Sequence, residues 1–71
     1  MERSKRIATE IGNAVIWLVQ HSRSITRGNI IDMLERERRI TVDVIRADIL
    51  RESIVFIREG GKTTGGFSGL H

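Results

Sequence analysis

The chain contains no cysteine, no proline and no tyrosine. Without cysteine there is neither a disulfide nor a thiolate metal site, and the absence fits a reducing, cytoplasmic setting. Two histidines, His21 and His71, are too few for a histidine metal site, and no cofactor-binding pattern is present. Without proline, no ring interrupts a helical period. No apolar run reaches the roughly 18 residues of a membrane span, so no membrane partner is expected. Residues 1–20 are not expected to be a secretory signal, because Glu10 and Asn13 break the apolar segment and no small-residue cleavage site follows. Strand-like alternation never lasts more than a few residues.

What remains is a helical pattern in 71 residues, enough for one domain with a modest core. A domain of that size without disulfide or metal is marginal alone, which leaves oligomerisation as its support. The first helical period covers residues 3–21, with Ile7, Ile11, Ala14, Val15 and Leu18 as its apolar stripe. The segment His21-Ser22-Arg23-Ser24-Ile25-Thr26 then favours a break, because its hydroxyl groups compete for backbone hydrogen bonds. The second helix is predicted over residues 27–39, with Thr26 or Ser24 as N-cap and Ile30, Ile31, Met33 and Leu34 as its apolar face. Its wholly charged end, Glu35 to Arg39, pairs along the helix and should lie in water. Thr41 is the expected N-cap of a third helix over residues 41–58, with Asp43 in its first turn. Gly60-Gly61 closes it in the C-cap manner. Residues 1–59 thus form a single helical domain. Residues 60–71 hold five of the seven glycines and read as a flexible tail with Phe67 and Leu70 as weak anchors.

The third helix carries the most information. At 3.6 residues per turn, Val42, Ile45, Ile49, Phe56 and Ile57 cluster on one face and Val44, Ala47, Ile54 and Val55 on the other. A helix apolar on two faces must be covered twice, and so short a chain supplies about one cover. The second is expected from another subunit. Ile45, Ile49 and Phe56 pack one way and Val44, Ile54 and Val55 the other, and either set serves as the dimer contact. Asp48, set among these groups, has two readings: a surface pair with Arg51, or an interface ion pair that fixes register. On the first helix, Trp17 reads as an edge of the core or, with Ile16, as a partner-binding patch.

Twelve Lys and Arg against nine Asp and Glu leave a net charge of +3. Most of this charge alternates in sign along the helices. Two places are locally basic, Arg3-Lys5-Arg6 and Arg23-Arg27, and a dimer doubles both. Nucleic-acid contact is thereby permitted, with Arg23, Arg27, Arg36, Arg38 and Arg39 as the phosphate-contacting candidates. Such binding is expected to be weak and sequence-indifferent, since no base-reading helix is apparent.

No catalytic grouping emerges. Gly60-Gly61-Lys62-Thr63-Thr64 has the ending of a phosphate-binding loop, but Phe56 stands where the motif needs its first glycine, and no helix is expected to follow. His21 has no carboxylate or nucleophile fixed beside it by sequence. The chain is expected not to be an enzyme and to take no small-molecule substrate.

Three blocks carry a family resemblance: Gly12-x-Ala14-Val15-x-x-Leu18, Asn29-Ile30-Ile31, and Asp43-Val44-Ile45-Arg46-Ala47-Asp48-Ile49-Leu50-Arg51-x-Ser53-Ile54. With this spacing the chain, over residues 11–58, resembles the AriR/YmgB family of small enterobacterial biofilm and acid-resistance regulators, to which YcgZ and YmgA belong. The third block is the most specific. The resemblance implies an all-α, three-helix chain forming a homodimer shaped like the Hha-type modulators. It further implies a two-component system connector that contacts the response regulator of an Rcs-type phosphorelay. The alternative is a small nucleoid-associated DNA-binding transcriptional modulator. Neither role brings catalytic residues.

Overall fold

A computed structural model describes residues 2–60. It contains three helices, α1 (Arg3–Gln20), α2 (Arg27–Ile40) and α3 (Val44–Arg58), and no strand among the described residues. Residues 61–71 lie outside the described residues, and with them the tail expected there, including Phe67, Leu70 and His71.

Each helix end has a local chemical cause. At the end of α1 the Arg23 amide donates to the Leu18 carbonyl at 2.8 Å and the Ser22 amide to the Val19 carbonyl at 3.2 Å. These crossed bonds form a Schellman closure, which needs a left-handed residue between them. Ser22 supplies it with φ 55. Thr26 begins α2, its Oγ1 accepting the Asn29 amide at 3.0 Å, so Thr26 is the cap. Ser24 contributes its carbonyl, which accepts from Asn29 Nδ2 at 2.8 Å. At the end of α3 the Gly60 amide reaches the Ile57 carbonyl at 3.0 Å, with Gly60 at φ 74.

The start of α3 departs from the sequence expectation. Asp43, not Thr41, is the N-cap, and its Oδ1 accepts the amides of Ile45 at 2.9 Å and Arg46 at 3.2 Å. Thr41 instead closes α2, its amide reaching the Glu37 carbonyl at 3.0 Å, while its Oγ1 accepts the Asp43 amide at 3.2 Å. A carboxylate capping two amides also gains from the helix dipole, which a hydroxyl does not. Val42 is left between the two caps and stands 97% exposed.

The core joins Ala14 and Leu18 of α1, Ile30, Met33 and Leu34 of α2, and Leu50 and Ile54 of α3. Ile11, Val15, Trp17, Ile31 and Ile57 pack around it. The opposed-face reading of α3 is corrected here. Ile49 and Ile54, expected at a subunit contact, are 1% and 3% exposed within a single chain. The face of α3 turned inward is Ile49, Leu50, Ser53 and Ile54. Leu50 and Ser53 belong to neither of the two faces that the period separates. Ser53 is tolerated at full burial because its Oγ donates to the Ile49 carbonyl at 2.8 Å. Phe56 is half-buried, while Val44, Ile45 and Val55 remain exposed.

Candidate interaction surfaces

Two ion-pair clusters hold the helices in register. Arg46 of α3 donates to Glu10 of α1 through Nε at 2.9 Å and Nη2 at 3.0 Å, and Nη2 also reaches Glu37 of α2 at 3.1 Å. One guanidinium therefore touches all three helices, and these bonds, led by the one to Glu10, hold its pKa above the ordinary arginine value. Arg3 of α1 pairs with Glu52 and Asp48 of α3, and Arg51 donates to Asp48 at 2.8 Å. The Arg51 and Arg3 guanidiniums hold the Asp48 carboxyl below its usual range, and Arg3 does the same for Glu52. Asp48 thus makes the pair with Arg51 that its first reading expects, and it also pairs with Arg3 of α1.

The exposed face of α3 runs Val44, Asp48, Arg51, Val55, so its two valines are separated by an ion pair. That face is not a continuous apolar seam. The exposed aliphatic groups concentrate instead at the α2–α3 corner, where Ile40, Val42, Val44 and Ile45 are 62%, 97%, 82% and 63% exposed. Sequence reasoning missed Ile40 as part of a surface. The available signal was Asp43, an alternative cap that leaves Thr41 and Val42 outside both helices and Ile40 at the very end of α2.

Ile16 and Trp17 are not placed alike. Trp17 packs at the edge of the core, and its ring stacks on His21 with centroids 3.9 Å apart. Ile16 is exposed on the back of α1, as is Val19. His21 Nδ1 lies 2.9 Å from the Trp17 carbonyl oxygen, to which it donates.

The five candidate phosphate contacts divide. Arg23, Arg36 and Arg39 line one groove with Asn29, Asp32, Trp17, Leu18 and Met33. Arg38 turns to Glu35 at 3.6 Å. Arg27 lines a different depression, with Ile25, Ile30 and Ile57. Asn29 and Asp32 were missed, although successive spacings of three and four residues, Asn29 to Asp32 to Arg36, place them on the same face of α2. Across Trp17 from this groove lies a second one, lined by Glu10, Asn13, Glu37 and Arg46.

Among the described residues no group of three or more His, Asp or Glu is placed to hold a metal ion, and no helix is long and apolar enough to cross a membrane. No protein family, no curated protein and no solved structure matches the chain.

Proposed function

We propose that this chain is a non-enzymatic regulatory protein that acts through protein–protein contacts, and that it works as a helical homodimer. The observation that carries the reading is the α2–α3 corner. Four aliphatic side chains within six consecutive residues, Ile40, Val42, Val44 and Ile45, face water. Apolar groups gathered in this way mark contact surfaces more often than scattered ones do, and a core this small gains from a second copy. The occupant we assign to the corner is that copy. The partnership with a phosphorelay response regulator, and control of biofilm formation and acid resistance, rest on the resemblance of the three sequence blocks to the AriR/YmgB regulators. The third block includes the corner residues Val44 and Ile45.

Direct DNA binding is the weaker reading. Only three of its five arginines share a surface, and Asp32 lies among them. Sedimentation of the wild type and of Val42→Asp plus Ile45→Asp tests the main reading. A wild-type dimer and a folded, monomeric variant are expected, and a wild-type monomer at micromolar concentration overturns it. Capture from nuclease-treated native cytosol tests the connector role: recovery of a response regulator supports it, and recovery only through nucleic acid opposes it.

A further inference from the structure

From the groove lined by Arg23, Arg36 and Arg39 around Trp17, we infer that this protein docks a short acidic peptide segment bearing a large apolar side chain. The groove is built from two kinds of surface. Its floor is apolar, with Leu18 and Met33 buried and Trp17 half-buried. Its rim is cationic: Arg23, Arg36 and Arg39 are exposed. Elsewhere the arginines are largely engaged, with Arg3, Arg38, Arg46, Arg51 and Arg58 all in ion pairs. Among the described residues, Arg23, Arg36 and Arg39 have no carboxylate within ion-pair distance, although nine acidic groups are distributed along the chain. A guanidinium presents a planar fork that matches a carboxylate through two parallel hydrogen bonds. Three such forks beside an apolar floor complement a segment that alternates acidic and apolar groups.

The surroundings favour a peptide over a nucleic acid. Asp32 stands in the lining itself. It repels phosphate and carboxylate alike, but it can accept a backbone N–H of a bound peptide, a donor that a sugar-phosphate backbone does not offer. Beyond Trp17, Glu10, Glu37 and Arg46 form a cluster with one more carboxylate than guanidinium. A duplex carries a charge every ~1.7 Å of its axis, so a duplex extending across Trp17 meets that cluster. A short acidic segment ends before it. This chain does not supply the segment. Its acids are interleaved with bases, and residues 61–71 carry Lys62 and no acidic side chain. The occupant assigned to the groove is a segment of another protein.

The inference extends the protein-contact reading to a stated partner chemistry, and it is separable from self-association because it uses a different surface. Trp17 is the only tryptophan, so its emission reports the groove directly. The full chain is titrated with a short peptide of Asp and Glu around a central Leu, lacking Trp and Tyr. The comparison ligands are the same peptide with Asn and Gln, a single-stranded oligonucleotide and a duplex. A saturable change in Trp17 emission is expected with the acidic peptide alone. Arg36→Glu or Arg39→Glu weakens it by about tenfold or more, and Arg36→Gln weakens it less. Lys5→Glu makes the same charge change in the first turn of α1, roughly 18 Å of helix from Trp17, and leaves the response intact. No response, an equal response to the neutral peptide, equal weakening by Lys5→Glu, or tighter Arg36-dependent binding of either nucleic acid overturns the inference. Sedimentation of the same samples reads the dimer separately: a monomer that still binds the peptide leaves the inference standing, and a dimer that ignores it does not.

Discussion

Arg46 and Glu10 meet in a two-point grip, Nε to Oε2 at 2.9 Å and Nη2 to Oε1 at 3.0 Å, across 36 positions of sequence. The Glu10 side chain is only 13% exposed there and that of Arg46 31%. Because Nη2 also holds Glu37, loss of the guanidinium leaves two carboxylates facing each other. Arg46→Met is therefore expected to destabilise the fold by about 1–3 kcal/mol. Adding Glu10→Gln should recover part of that loss. Urea denaturation of the single and double variants checks both.

The acid limb of stability should depend on Arg3. Asp48 and Glu52 have folded-state pKa values below their ordinary 3.8 and 4.5. For a depressed carboxyl the stabilisation is complete above the ordinary value and is lost as pH falls through the folded one. Melting temperature is expected to hold above pH 4.5 and to fall below it. In Arg3→Ala, which removes the hydrogen bond that lowers Glu52 and the second of the two that lower Asp48, the decline should be shallower. Thermal scans by circular dichroism across that range provide the measurement.

Ser22→Gly should stabilise the chain. Ser22 occupies the left-handed region at φ 55, which costs an L-residue roughly 1–2 kcal/mol. Glycine adopts it freely but has more unfolded-state entropy to lose, about 0.4–1 kcal/mol. The net expectation is a gain of about 0.5–1 kcal/mol, visible as a raised Tm. Ser22→Val should lower it.

Core and corner substitutions should separate cleanly. Leu50 is fully buried, and Leu50→Ala is expected to cost about 2–5 kcal/mol. Ile49→Asp should unfold the chain at any concentration, because a carboxylate buried without a partner costs as much as a small domain's stability. Val44→Asp, at an 82% exposed position, should leave the helical signal unchanged and alter only self-association. Circular dichroism and sedimentation, run together, distinguish these outcomes.

The helices themselves were legible in the sequence. Period, caps and glycines place α1 and α2 within a residue of their observed ends, because helix formation answers to near neighbours: Thr26 needs only Asn29, three residues on. That α3 carries more apolar groups than the chain covers was also legible, but not which ones: Val44, Ile45 and Val55, exposed together, come from both of the faces the period separates. The surfaces were less so. Arg23 and Arg36 share a groove only because the α1–α2 turn folds Arg23 back beside α2, and no spacing rule links two residues on different elements.

Sequence alone determined an all-helical chain with three segments, no disulfide, and more aliphatic side chains than its own fold conceals. Tertiary structure decided which of those side chains are inside. On α3, periodicity could not rank Leu50 against Val44, since both are aliphatic and local propensity is indifferent to what lies across the gap. The approach of α1 and α2, with Arg46 bonded to both Glu10 and Glu37, turns Ile49, Leu50 and Ile54 inward and leaves Val44 in water. Burial is a property of three helices packed together, and a single helix's pattern carries only its own share of that information.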